Sequence, residues 1–118
     1  MKIARSLLLA ACMCFAANGH AATAGVYAKI IKMVLADKGR YGTCLVKLDA
    51  NLAASGLNCP GNHVTFSCSG DFQGRDVAWR MYDTAQMAYT LDNTVYIEVD
   101  DSRKHNGFCF APLILVAP

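Results

Sequence analysis

Four cysteines, Cys44, Cys59, Cys68 and Cys109, are the residues of this 118-residue chain whose type and spacing point most directly to chemistry. Thiols of this kind either oxidise in pairs or hold a soft metal. Zinc sites built on cysteine use closely spaced C-x2-C pairs, and none of the gaps between these four contains one, so His63 and His105 have no knuckle to complete. The set therefore reads as two disulfides with no metal and no cofactor, and four cysteines allow three pairings.

A second concentration of reactive side chains is Asp100-Asp101-Ser102-Arg103-Lys104-His105-Asn106-Gly107. On a functional reading, Asp100 and Asp101 are metal ligands or a carboxylate pair and His105 is a general base. On the plainer reading, residues 100–107 are a solvated polar loop in which opposite charges offset one another and Asn106-Gly107 supplies positive φ. Spacing provides neither a third ligand nor a Ser or Cys nucleophile partner, so no catalytic residue is assigned and no enzymatic activity is expected. Recognition suits such a loop better, which makes Asp101, Arg103 and His105 candidate ligand contacts. Tyr27 and Tyr41 are the other candidates, as rings that stack on sugars from a strand face, against the alternative of half-buried strand tyrosines. Trp79, the single tryptophan, is either an anchor at an interface or a ring packed against the edge of the sheet.

The start of the chain sets the compartment. Lys2 and Arg5 precede an apolar run over residues 6–17, and small residues around Gly19, Ala21, Ala22 and Ala24 offer cleavage sites. This is the pattern of a secretory signal peptide over residues 1–22, cleaved near residues 21–24. The run is too short for a membrane span, which needs about 20 residues. Leu9-Ala10-Ala11-Cys12 also has the form of a lipobox, which would anchor the chain at Cys12 instead. Export to the periplasm or beyond agrees with paired cysteines. Removing Lys2 and Arg5 leaves nine basic against nine acidic residues, a balance that gives no electrostatic argument for nucleic acid or a membrane surface. About 95 residues remain in a single domain, residues 23–118; a core this small gains much of its stability from cross-links.

Alternating apolar residues predict a first strand over residues 26–35, a turn at residues 37–39 and a second strand over residues 41–48. A connection rich in Asn, Ser, Gly and Pro follows over residues 49–62, with a helical turn near residues 50–54. Residues 63–68 alternate again as a third strand. The period then changes: Ala78, Met81, Tyr82, Ala85, Ala88 and Tyr89 recur at three- and four-residue spacing, the stripe of an amphipathic helix, with Asp76 placed to cap its start. Residues 94–99 form a fourth strand, residues 100–107 the polar loop, and residues 108–116 a fifth strand in which Pro112 implies an edge or a bulge. Mainly β with one helix, in the order β-β-β-α-β-β, is the order of a small five-stranded OB-fold barrel. Cys44 and Cys68 fall inside neighbouring predicted strands, so a bridge between them leaves Cys59 in the long connection to fasten Cys109 on the last strand.

Phe66-Ser67-Cys68, the helix carrying Tyr82-Asp83-Thr84-Ala85-Gln86-Met87-Ala88-Tyr89, and Val95-Tyr96-Ile97-Glu98-Val99 together resemble the B subunits of subtilase-cytotoxin type bacterial toxins. The resemblance covers roughly residues 41–99, and Cys44 looks like the family's first bridging cysteine, again pairing with Cys68. It implies an OB-fold without enzymatic activity that assembles as a homo-oligomeric ring and binds cell-surface glycans. Two departures stand out: the family's sialic-acid-contacting serine falls near Gly25, where no hydroxyl exists, and the segment 100–107 with a Cys59–Cys109 bridge is foreign to its pattern. The expectation is thus an exported glycan-binding module with Trp79 in the oligomer interface. The alternative is a free-standing periplasmic domain that binds or inhibits a protein through residues 100–107.

Overall fold

The computed structural model describes residues 22–117; the predicted leader and its lipobox lie outside them. The elements are five strands, β1 (Thr23–Leu35), β2 (Cys44–Leu48), β3 (His63–Thr65), β4 (Thr94–His105) and β5 (Phe108–Val116), with one α-helix, α1 (Arg75–Thr90), between β3 and β4. The element order is therefore the expected β-β-β-α-β-β. The strands pair in the order β1-β2-β3-β5-β4, and β4 returns to β1, so the sheet closes on itself. All pairings are antiparallel except the short parallel contact of β3 with β5, where Val64 faces Cys109 and Thr65 faces Phe110.

Alternation along the strands buries one face of the sheet. Val26, Ala28 and Ile30 of β1, Val46 and Leu48 of β2, Val64 of β3 and Val95, Ile97 and Val99 of β4 share one core with Phe66 and Ala111. The stripe of α1 joins it through Ala78, Tyr82, Ala85 and Ala88, while Tyr89 faces solvent. Tyr82 meets Phe66 edge to face at a centroid distance of 6.4 Å, and its burial raises the phenol's pKa. Gly74, not Asp76, occupies the N-cap position; Asp76 lies in the first turn, where its charge suits the helix dipole.

Three predicted boundaries are corrected. The polar segment 100–107 is not a loop: β4 runs on to His105, and only Asn106 (φ 51°) and Gly107 (φ 87°) make the turn into β5, as a two-residue hairpin connection requires. Opposite Phe110 and Cys109 stand Asp100 and Lys104, so Asp101, Ser102 and Arg103 leave the ladder together as a wide bulge. A polar strand end that bulges has the composition of a loop, which is why alternation fails to reveal it. The second strand begins at Cys44 rather than residue 41, because Tyr41 (φ 57°) and Thr43 (φ 75°) are left-handed. The third strand stops at Thr65 because Ser67 (φ 58°) turns the chain. Pro112 does sit at a break in register, between the pairs Glu98–Leu113 and Asp100–Phe110.

Both disulfides form as expected, Cys44 with Cys68 and Cys59 with Cys109. The first joins the start of β2 to the segment leading into α1; the second fastens the long connection to β5. Replacing Cys59 and Cys109 together by serine removes a link between residues 50 apart, an expected loss of about 4 kcal/mol from loop entropy. The Cys44→Ser, Cys68→Ser variant opens a separation of 24 residues, for which the same relation gives about 3.5 kcal/mol. Urea denaturation of both should place the Cys59–Cys109 variant lower.

Candidate functional site

The turn between β1 and β2 is the least relaxed backbone among the described residues. Lys38, Gly39, Tyr41, Gly42 and Thr43 all have positive φ, and for a β-branched residue such as Thr43 this is a genuine outlier. The turn is held by its own hydrogen bonds, Arg40 N–H to Asp37 O at 3.0 Å and Ala36 N–H to Thr43 O at 2.7 Å. Two neighbours clamp it: Tyr41 N–H donates to Asn106 Oδ1 at 2.9 Å, and Ser69 N–H donates to Gly42 O at 3.1 Å. Gly42 must be glycine twice over, since its φ is 70° and a Cβ there would strike Thr65 Oγ1 and the His105 ring.

Fixed in this way, Tyr41 leans over the outer face of the sheet. Its ring meets Phe108 edge to face at 5.4 Å, and Phe108 in turn lies 5.1 Å from the His63 ring. Tyr41, His63 and Phe108, with Lys32, Val34 and Leu45, line a hollow of about 200 Å³ between the β1–β2 turn and the start of β5. Strand register sets which basic residues lie in the hollow, Lys32 and His63, and which lies between them on β2, Lys47. A bulge at Ile31 shifts β1 so that Lys32 faces Lys47, and Lys47 faces His63 across the next strand. Burial lowers the His63 pKa, and the charges of Lys47 and Lys32 lower it further, against a small opposing effect of the Gly61 backbone. His63 Nδ1 is buried and faces the Gly61 backbone.

The residues singled out from sequence do not converge. Tyr27 is 69% exposed and pairs with Tyr96 at 5.0 Å across β1 and β4. The Tyr96 phenol lies over Gly25 and fills the space that a side chain at position 25 would take. Asp101 is bound within the chain: Ala22 N–H donates to Oδ1 at 2.7 Å and Asn58 N–H to Oδ2 at 3.1 Å. Those two bonds hold its carboxyl below the ordinary range. Arg103 pairs with Asp100 at 3.0 Å and stacks on Phe110, its guanidinium carbon 4.6 Å from the ring centre. Desolvation works to raise Asp100, but hydrogen bonds from Ser102 and Arg103, together with the Arg103 charge, outweigh it and lower the carboxyl pKa. Lys104 Nζ donates to Asn58 O at 2.7 Å. Trp79, 38% exposed, meets Tyr82 edge to face at 6.0 Å and borders a wider hollow of about 560 Å³ with Lys38, Asp71 and Arg75.

His105 is packed on Phe72 at 4.3 Å and lies, through Nε2, 3.0 Å from Ser67 Oγ and 3.7 Å from Asp71. A serine, a histidine and an aspartate thus meet, but not as a triad. Serine and aspartate address the same ring nitrogen, whereas a triad needs one on each. Ser67 is fully buried, and its oxygen accepts from Phe72 N–H at 3.1 Å. The group pins the segment before α1 to the end of β4. Among the described residues no three His, Cys, Asp or Glu side chains converge to hold a metal ion, and no helix is long and apolar enough to cross a membrane. No protein-family model, curated protein or solved structure matches the chain.

Of the residues that line the hollow, sequence reading passed over Lys32, Val34, Leu45 and Phe108 and considered His63 only as a metal ligand. The alternation of β2 and β3 carries part of the signal, but the Ile31 bulge that aligns Lys32 with Lys47 is invisible without the paired strands. The lowered carboxyls of Asp100 and Asp101 fix a pH dependence. Their stabilisation is present in full above the unfolded carboxyl pKa, about 3.9, and is lost as pH falls through the lower folded values. Asp101→Asn should lower the thermal midpoint at pH 7 and shrink the drop in midpoint between pH 5 and pH 3, read by circular dichroism; an unchanged midpoint would remove Asp101 as a tether.

Proposed function

We propose that this chain is an exported, non-enzymatic binding module with an OB-fold barrel, and that it takes saccharides in the hollow lined by Tyr41, His63 and Phe108. That hollow is the observation that carries the reading. In OB-folds the face of strands two and three, with the loops joining strands one to two and four to five, takes oligosaccharides and oligonucleotides. Here the β1–β2 turn contributes Tyr41, β2 and β3 contribute Leu45 and His63, and Phe108 follows the β4–β5 turn. The element order, the closed pairing and the parallel contact of β3 with β5 support that fold. Rings that present a face at the rim of a shallow hollow suit sugars, and the balanced charge outside the leader favours a saccharide over a nucleic acid.

The toxin B-subunit likeness extends this reading to cell-surface glycans and a homo-oligomeric ring, with the face of α1 around Trp79 as the contact between copies. The sugar site then differs from that family's, because Tyr96 covers Gly25. The alternative, a periplasmic protein-binding or inhibitor domain acting through Arg103, Lys104 and His105, has less support, since all three are engaged within the chain.

Export is supported by the two disulfides. Cleavage after Ala21 leaves Ala22 first, and its nitrogen lies 2.7 Å from Asp101, so the new ammonium gains a carboxylate partner. Cleavage after Ala24 would remove Thr23 and Ala24, which pair with Asp100 and Val99. The intact mass of the exported protein is expected to place the mature start at Ala22; a start at Gly25 would contradict this.

A glycan array tests the binding function. The wild-type chain should give a signal that Tyr41→Ala and Phe108→Ala each weaken by about 5-fold or more, as the loss of a contact worth over 1 kcal/mol does. No signal, or one indifferent to both substitutions, would overturn the reading. Light scattering that returns a monomer would remove the ring.

A further inference from the structure

The two disulfides interleave. In chain order the cysteines are Cys44, Cys59, Cys68 and Cys109, and the bridges join the first to the third and the second to the fourth. Every other pair takes one cysteine from each native bridge, so a single wrong bridge blocks both. Distance along the chain favours the wrong pairs. Cys59 and Cys68 are 9 residues apart and Cys44 and Cys59 are 15 apart, against 24 for Cys44–Cys68 and 50 for Cys59–Cys109. Closure probability falls as about the three-halves power of loop length. In the unfolded chain Cys59–Cys68 therefore closes about 4-fold, and Cys44–Cys59 about 2-fold, more readily than Cys44–Cys68.

The right partners meet only through non-local pairing, which is slow to form. Thr65 Oγ1 and Phe66 N–H both donate to Cys44 O, so Cys68 is brought to Cys44 by the pairing of β2 with β3. Cys109 stands opposite Val64, so it is brought to Cys59 by the docking of β5, the last strand. In the closed barrel all four cysteines are buried, which shields them from a thiol in solvent. A chain with two wrong bridges holds no thiolate of its own among these four, and exchange then needs one from outside.

We propose that this chain is a substrate of a thiol–disulfide isomerase, a protein with a reactive thiolate in the compartment that receives it, acting before the barrel closes. In a chain with Cys59–Cys68 and Cys44–Cys109 bridges, the isomerase thiolate attacks Cys68 Sγ and forms a mixed disulfide, and Cys59 leaves as a thiolate. Cys59 attacks Cys109, which forms one native bridge and releases the Cys44 thiolate. Cys44 attacks Cys68, which forms the other and returns the isomerase thiolate. Three S–S bonds form and three break, with no net oxidation. The partner is independent of the saccharide ligand.

Oxidative refolding of the reduced, unfolded mature chain tests this, with an oxidised dithiol protein as disulfide donor, with and without a disulfide isomerase. Free thiols are blocked at intervals and the bridges mapped by peptide mass. With the donor alone, wrong single bridges should outnumber native ones by about 5-fold, with Cys59–Cys68 the most abundant. Adding the isomerase should raise the yield of chains with both native bridges by about 4-fold or more, since only about one chain in six closes correctly at first. The Cys59→Ser, Cys109→Ser variant retains a single possible bridge between these residues, and its yield should not respond to the isomerase. Native bridges formed in high yield by the donor alone would overturn the proposal, as would wrong bridges that the isomerase leaves unconverted. Equal rescue by an isomerase whose attacking cysteine is replaced by serine, or a response of the two-serine variant, would also overturn it, since the isomerase would then act without thiol exchange.

Discussion

The Cys44–Cys68 bridge, together with the left-handed turn it holds, is the constraint on which the rest depends. Five of the residues 38–43 have positive φ, three of them without the freedom of glycine, and such conformations persist only when their surroundings over-determine them. Here the surroundings are a covalent link at the end of the turn, a bond from Tyr41 N–H to Asn106 and a bond from Ser69 N–H to Gly42. The bond from Tyr41 N–H to Asn106 fixes the residue whose ring meets Phe108 at the rim of the hollow. The strain is therefore tied to presentation of a side chain.

The polar strand end bulges at Asp101, Ser102 and Arg103. Its carboxylates and cations are satisfied inside the molecule: Asp100 takes Ser102 and Arg103, Asp101 takes the backbone of Ala22 and Asn58, and Lys104 takes Asn58 O. The Cys59–Cys109 bridge ties the same connection to β5. A region dense in ionisable groups is thus bonded within the chain, whereas Lys32 and Lys47 make no ion pair among the described residues.

Much of the architecture was legible in the amino-acid order. The period of the helix and the alternation of the strands needed only local pattern; the expected pairing of Cys44 with Cys68 holds although Cys68 lies beyond the end of β3 rather than on a strand. What local pattern does not contain is register. The bulge at Ile31 decides that Lys32 meets Lys47, and the three-residue excursion after Asp100 makes a strand end look like a loop. Tyr41 was recognised as a candidate, but on a strand; the positive φ of Thr43, a residue ill suited to it, is imposed by tertiary contacts that no sequence window shows.

The central claim is that recognition takes place at the aromatic hollow, not along the polar end of β4. Backbone amide shifts of the isotope-labelled protein, recorded as an oligosaccharide is added, test it most directly. Perturbations should gather at Lys32, Tyr41, Lys47, His63 and Phe108 and spare Asp101, Arg103 and the Tyr27–Tyr96 pair. Perturbations gathered at residues 100–105, or at Tyr27 and Tyr96, would contradict it.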